Sequence, residues 1–280
     1  MWTNSGLDSP PLKSGTYSEH MSVESLPLLK RRLARIERRH KPASVSPRHA
    51  PTGHDGLDRA LGGGLLRGRV HELQVADPGE AGSGAGFAGV LAQRLGGELL
   101  WLREEAAERG MGRLHAAGLV EIGFDPAHLI LGVLPDPAAV LRCAADAIRC
   151  PALGAVVIEL WGDPRPLDLT ATRRLALAAE GSGVTALLLR VAGHEAPSAA
   201  QTRIAIAPAP SIALPANAPG HPAWRIELLR QRGRPDGGAW RVEWDRANGT
   251  LREQEHDGET ISGAVVPLSA DRSAGALNTG

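Results

Sequence analysis

Short apolar runs alternate with helical patterns through the centre of the chain. The run at 155–160 is continuous and ends in an acid, which is typical of a central parallel strand buried on both faces. Strands are predicted at 69–75, 99–102, 128–133, 155–160 and 184–190, and helices at 57–61, 87–95, 137–149 and 170–180. This alternation predicts an α/β fold with a mostly parallel sheet flanked by helices.

The pattern changes after residue 200, where apolar and polar positions alternate with a period of two. Trp224, Ile226 and Leu228 share one face of a predicted strand. The segments 203–207 and 240–245 show the same alternation and are also predicted as strands. A loop of Gly, Pro and Asp before the last segment predicts a hairpin. We therefore expect these strands to extend the sheet in antiparallel fashion at its C-terminal edge.

Composition divides the chain into five segments. The two ends are polar and rich in small residues without periodicity, which is typical of disorder, and Met21 offers an alternative start. The predicted units are a disordered N-terminal tail (1–23), a basic amphipathic helix (24–41), a proline-rich linker (42–51), a core (52–245) and a flexible C-terminal tail (246–280).

The basic helix, which we call the arm, has a narrow apolar seam. Two interpretations are open: the arm packs on its own core with a solvated basic face, or it detaches and binds a partner protein or nucleic-acid phosphate. The residues assigned to partner binding are Leu26, Leu29, Leu33 and Ile36 in the seam, with Arg32, Arg35 and Arg39 beside it.

Charge and cysteine content narrow the class of protein. The 31 basic and 31 acidic residues cancel, so the whole molecule has no net attraction for nucleic acid or a membrane. Cys143 and Cys150 lack metal-type spacing and are expected to be buried in a reducing compartment. No run of about 18 apolar residues offers a membrane span, and a cytoplasmic location is expected.

The glycine-rich loop after the first core strand has the spacing of a phosphate-binding loop without its reactive side chains. Gly79 and Gly84 keep the spacing G-x-x-x-x-G-K-[ST], with Gly82 between them, but Ala85 and Gly86 replace the lysine and the hydroxyl residue. Those two side chains contact the β- and γ-phosphates and Mg²⁺ in a working loop. The loop is therefore a decayed nucleotide site or a structural turn.

Lysine is absent from the whole core, because Lys13, Lys30 and Lys41 are the only lysines in the chain. No lysine from elsewhere in the core can therefore replace the one missing at Ala85. We expect no metal and no bound cofactor, with ATP as a less favoured alternative.

Two stretches resemble known proteins. The run LDRALGGGLLRGRV at 57–70 resembles the segment that precedes the phosphate loop in RecA recombinases, and WRIELL at 224–229 is similar to the inducible-mutagenesis protein A family, ImuA, sometimes grouped with SulA-like proteins. The resemblance covers residues 24–245. It implies a RecA-like fold and a role in damage-induced mutagenesis. The implied partners are an ImuB-like homologue of Y-family polymerases, an error-prone C-family polymerase and RecA.

The chain departs from RecA at its catalytic positions. Glu159 closes a strand like the Walker B strand, where an aspartate is usual, and we favour a structural role for it. Glu104 occupies the position of the water-activating glutamate. The connections at 161–169 and 193–202 are short and poor in basic residues, so DNA contact is expected to be indirect.

Three hypotheses follow from the resemblance and its departures. The leading one is a non-catalytic RecA-like adaptor in SOS-induced translesion synthesis that acts through protein contacts. The second is a weak or partner-completed ATPase, because backbone amides can bind phosphate alone. The third is a SulA-like inhibitor of cell division.

Overall fold

The structure is a computed structural model that describes residues 26–39, 48–234 and 237–254. The predicted N-terminal tail, linker residues 42–47 and residues 255–280 of the predicted C-terminal tail lie outside the described residues. The helices are α1 (Leu26–Arg39), α2 (Asp55–Leu61), α3 (Ala81–Leu95), α4 (Glu105–Met111), α5 (Ala116–Glu121), α6 (Pro137–Ala147) and α7 (Leu169–Ser182). The strands are β1 (His49–Ala50), β2 (Leu65–Leu66), β3 (Val70–Val75), β4 (Glu98–Glu104), β5 (Leu129–Leu134), β6 (Leu153–Trp161), β7 (Thr185–Val191), β8 (Thr202–Pro208), β9 (Ala223–Gln231), β10 (Gly238–Asp245) and β11 (Thr250–Glu253).

The main sheet of the described residues has nine strands in the order β11-β10-β9-β8-β3-β7-β6-β4-β5. The six strands from β8 to β5 are parallel, and β9, β10 and β11 continue the sheet in antiparallel fashion. The predicted α/β class with antiparallel strands at the C-terminal edge is thus confirmed.

The strand β8 differs from the prediction, because it pairs in parallel with β3 rather than extending the sheet in antiparallel fashion. The segment between β7 and β8 crosses back over the sheet without a helix. Ser198, Ala199 and Ala200 are buried along this crossover. Period-two alternation marks a half-buried strand but carries no information about its direction, which the crossover determines.

The core also extends beyond the predicted limits of 52–245. His49 and Ala50 pair with β2, and β11 adds residues 250–253 to the edge of the main sheet. The turn at Asp245 allows β11 to return beside β10, and Leu251 is buried there. The C-terminal segment was predicted as a tail because its apolar content is low, but pairing with β10 satisfies its backbone.

Helices cover both faces of the sheet and produce two apolar layers. Phe87 and Leu91 of α3 lie in the first layer with Trp224 and Trp244 of the C-terminal strands. The second layer lies beneath α6 and α7. Within the described residues no helix is both long enough and apolar enough to cross a membrane.

The arm helix lies on the second layer. Leu29 is fully buried, its Cδ2 atom lies against Gly132 of β5, and Leu33 and Ile36 are partly buried against the same layer. The neighbouring Leu28 is 53% exposed. The structure therefore favours the docked interpretation, since the centre of the seam is covered by the chain's own sheet.

The polar side of the arm is only partly described. Arg35 is exposed and Arg32 is half-buried, whereas the side chains of Leu26 and Arg39 lie outside the described ones. Partner binding through this side of the helix remains a prediction.

Candidate functional site

The glycine-rich turn after β3 is closed by its own hydrogen bonds. Asp77 accepts a hydrogen bond from the Gly79 amide on Oδ1 at 2.7 Å, and its carbonyl accepts one from the Glu80 amide at 3.0 Å. The Ala81 amide donates to the carbonyl of Pro78, and α3 begins at Ala81. Three successive amides of the turn are thus engaged, whereas a phosphate cradle presents its amides to the ligand.

The glycines of the turn have different roles. A Cβ atom on Gly84 would lie 2.3 Å from Val75 Cγ2, so this glycine allows α3 to pack on β3. One on Gly86 would lie 3.5 Å from the Trp224 ring, and one on Gly82 would meet nothing within 4 Å. Ala85 packs against the first apolar layer, so the position of the absent lysine is used for packing.

A tryptophan from the antiparallel edge holds the turn. Trp224 of β9 donates its indole N–H to the carbonyl of Ser83 at 2.9 Å, and its ring lies 5.7 Å from that of Phe87 in α3. The sequence pattern identified Trp224 as a core residue but did not indicate this contact, which joins residues 141 positions apart.

Two carboxylates and one guanidinium line the cavity beside the turn. This cavity has a volume of about 270 Å³, and Glu80, Arg225 and Glu227 contribute its charged lining. The exposed Asp77 adds a further carboxylate to the turn. The carboxylates outnumber the one arginine, Arg225, which itself lies 3.7 Å from Glu227, so the charge around the turn disfavours a phosphate.

Glu159, predicted to take the Walker B position, is surrounded by donors. It is 3% exposed, and its Oε2 accepts from Trp101 Nε1 at 2.9 Å. Its Oε1 accepts from Arg103 Nη2 at 2.9 Å and from Trp161 Nε1 at 3.0 Å. Both carboxylate oxygens are therefore occupied, which supports the structural role favoured from the sequence.

Glu104 ends β4 in a different environment. It is 9% exposed, and its buried Oε1 has no hydrogen-bond partner among the described residues. Burial raises the pKa of this carboxyl, and the nearby carboxylates of Asp136 and Glu159 raise it further, although a backbone hydrogen bond from Trp161 opposes them. Glu104 and Glu159 are thus brought together at the carboxyl ends of β4 and β6, while β6 lies two strands from β3 and its glycine turn.

Similarity to known proteins shows which family the chain belongs to. No family model matches the chain. Two relatives named Protein ImuA, from Caulobacter vibrioides strains NA1000 / CB15N and CB 15, are each 36% identical over 194 residues, which are 63% of this chain and 75% of the relative. The chain belongs to the ImuA family.

The fold of this ImuA-family chain is RecA-like. It superposes on a crystal structure of the RadB recombinase with a TM-score of 0.50 and 17% identity, over 74% of this chain and all of RadB. The predicted resemblance to ImuA and to the RecA fold is thus confirmed.

Sequence reasoning missed a buried ion cluster on the second face of the ImuA-family sheet. Glu72 of β3 is fully buried and lies 3.2 Å from Arg190 Nη1 and from Arg203 Nη2, and Ser198 Oγ donates to it at 2.6 Å. Burial raises the pKa of Glu72, but the Ser198 hydroxyl and the two arginines outweigh burial and lower it overall. The available signal was an acidic residue in the interior of the strand predicted at 69–75.

The same arginines hold the connections after β6 and β7, which the resemblance to RecA predicts to take the places of its DNA-binding loops. Asp163 accepts from Arg190 Nη2 at 2.7 Å and from the His194 amide at 2.9 Å, and Glu195 pairs with Arg203. The connection after β6 is therefore tied to the one after β7. No cluster of three or more potential metal ligands occurs among the residues the structure describes.

Proposed function

We propose that this chain is a non-catalytic RecA-like adaptor in SOS-induced translesion DNA synthesis and mutagenesis. The carrying observation is the glycine turn, where the amides of Gly79, Glu80 and Ala81 are engaged by Asp77 and Pro78. The missing lysine and hydroxyl at Ala85 and Gly86 support the proposal, because phosphoryl transfer depends on those groups. The occupied carboxylate of Glu159 adds to it.

The proposed partners follow from family membership. They are an ImuB-like homologue of Y-family polymerases, an error-prone C-family polymerase and RecA, which the chain joins in the cytoplasm. DNA contact is proposed to be indirect, because the arginines beside the two connections, Arg190 and Arg203, are buried in ion pairs with Glu72.

Nucleotide titration tests the non-catalytic part of the proposal. Calorimetry with ATP and Mg²⁺ at millimolar concentration is expected to give no binding, and a phosphate-release assay no turnover. ATP hydrolysis that is lost in Glu104→Gln but retained in Glu105→Gln would overturn it. Glu105 is the matched control because it follows Glu104 directly and is exposed.

One observation favours a second candidate, a partner-completed ATPase. The carboxyl of Glu104 is buried at the proposed position of the water-activating glutamate, and its Oε1 accepts no hydrogen bond from the described part of the chain. This candidate requires the partner to supply the missing cation and to open the turn, so it predicts ATP binding only in the complex. Repeating the titration with the ImuB-like partner separates the two functions: binding in the complex alone supports the second.

A pull-down tests the adaptor role. The full chain, purified with the ImuB-like protein of the same organism, is expected to form a complex that survives gel filtration. Absence of a complex, with both proteins folded by circular dichroism, would contradict the adaptor role.

A further inference from the structure

A shallow groove runs between α6 and α7 on the second face of the sheet. It has a volume of about 220 Å³. Leu141 and Leu175 form its floor and are 8% and 1% exposed, and the half-buried Ala138, Ala145 and Ala171 lie on its walls. The groove therefore has an apolar base that small side chains leave open.

Each wall of the groove carries an exposed arginine. Arg142 on α6 and Arg174 on α7 are exposed and line the groove. Within the described part of the chain neither forms an ion pair. Two positive charges thus flank the apolar floor on opposite sides.

The acidic side chains of these two helices are committed elsewhere. Asp136 and Asp168 cap the N-termini of α6 and α7 by accepting from backbone amides at 2.7 Å and 2.6 Å. Asp146 lies 3.5 Å from Arg149, and Glu180 lies 2.9 Å from Arg69. The positive charge at the groove is therefore not neutralised by its own helices, and a ligand with negative charge on both flanks complements it.

The shape of the groove favours a helix. Both α6 and α7 are crossover helices between successive parallel strands, so they lie side by side in the same direction. Alanine walls let a third helix approach closely and place its apolar ridge between the other two. Leu177, one turn beyond Arg174, is 70% exposed and extends the apolar surface. The apolar floor favours protein over nucleic acid, whose phosphates need no such surface.

We propose that the α6–α7 groove binds an amphipathic helix of a partner protein, with an apolar ridge on the floor and acidic residues on both flanks. The proposal rests on the adaptor function, for which it names the docking surface. Arg142 and Arg174 each bind one acidic flank, and Leu141 and Leu175 contact the ridge.

Charge reversal tests the groove in the full chain. The ImuB-like protein of the same organism is the probe, and its affinity for Arg142→Glu, Arg174→Glu and the double variant is measured by biolayer interferometry. Each single variant is expected to bind about tenfold more weakly, and the double variant about a hundredfold. Arg173→Glu is the matched control, because Arg173 is exposed beside Arg174 and does not line the groove. It is expected to change affinity less than about twofold, a bound set by the weak effect of unpaired surface charges.

A photo-crosslinker at Ala145 reports the bound segment independently of charge. Crosslinking to an acidic, apolar helical segment of the partner supports the proposal. If the double variant binds the partner with unchanged affinity, the groove is not the docking surface, and the adaptor function is unaffected. Absence of any complex with the unsubstituted chain overturns both. Loss of single-stranded DNA binding in the double variant, with partner binding intact, overturns the protein ligand in favour of nucleic acid.

Discussion

Removing the carboxylate of Glu159 distinguishes a structural role from a metal-binding one. In Glu159→Ala the Arg103 guanidinium, 4% exposed, loses its carboxylate at 2.9 Å, and the buried indole of Trp101 loses the acceptor of its N–H. Breaking a buried ion pair from one side costs about 3–5 kcal/mol, and an unsatisfied buried donor about 1–3 kcal/mol. Arg103 keeps the Gly112 carbonyl at 3.1 Å and a carboxylate of Glu108 at 3.9 Å, which reduces the loss. We expect a free energy of unfolding lower by about 3–4 kcal/mol.

Urea unfolding followed by circular dichroism measures this loss, since tryptophan fluorescence would report the substitution itself. The control is Glu105→Ala, whose exposed pair with Arg109 is worth only about 0.5 kcal/mol. The double variant Arg103→Met/Glu159→Met is expected to be more stable than Glu159→Ala, because it removes both charges of the buried pair and leaves Glu108 its contact with Arg113 at 3.8 Å. A Glu159→Ala variant within about 0.5 kcal/mol of the parent, the scatter expected of a neutral surface change, would refute the structural role.

Three further experiments test the turn, a buried histidine and the arm. Gly84→Ala places its Cβ 2.3 Å from a valine methyl and should lower the free energy of unfolding by about 1–3 kcal/mol, measured by thermal or urea unfolding. Gly82→Ala lies in open space on the same helix and should raise it by up to about 1 kcal/mol. Burial lowers the pKa of His71 to about 4. The unfolded chain, in which a histidine has a pKa of about 6.5, takes up this proton at a higher pH than the folded chain, so the free energy of unfolding should fall by about 3 kcal/mol between pH 6.5 and pH 4. His71→Gln should remove this contribution to the pH dependence. Leu29→Ala should lose about 2–5 kcal/mol and Leu28→Ala less than about 0.5 kcal/mol in the same assay.

Each of these has an outcome that contradicts it. Equal effects of the two glycine substitutions would mean that α3 does not pack on β3 as described. A pH slope between 6.5 and 5 that is unchanged in His71→Gln would assign it to other groups, since the lowered pKa of Glu72 acts only at more acidic pH. Equal effects of the two leucine substitutions would show that the arm is not docked in solution, which would revive the detachable interpretation.

Much of the fold could be predicted because the spacing of apolar and polar residues along the chain indicates which positions are buried. The run at 155–160 became the centre of β6, and the alternation from Trp224 to Leu228 became the buried face of β9. The loss of the lysine and hydroxyl residues at Ala85 and Gly86 could be identified from the sequence alone. The direction of a strand could not be predicted, because β8 has the pattern of a half-buried strand whether it runs parallel or antiparallel.

The candidate site was less predictable than the frame. Glu104 and Glu159 were identified by position, but their opposite environments depend on which donors surround them. Trp101, Arg103 and Trp161 meet one carboxylate because β4 and β6 are neighbours, and the other carboxylate lacks a partner on Oε1.

By itself the sequence determined the alternating α/β frame, the loss of the lysine and hydroxyl from the glycine loop, and the family resemblance, since each is written in residues close together along the chain. Only the tertiary structure decided that the arm is docked, that Trp224 holds the turn, that Glu72 is surrounded by arginines and that α6 and α7 enclose a charged groove. These features join residues tens to more than a hundred positions apart. Their contacts depend on the order and direction of the strands, which local periodicity does not encode.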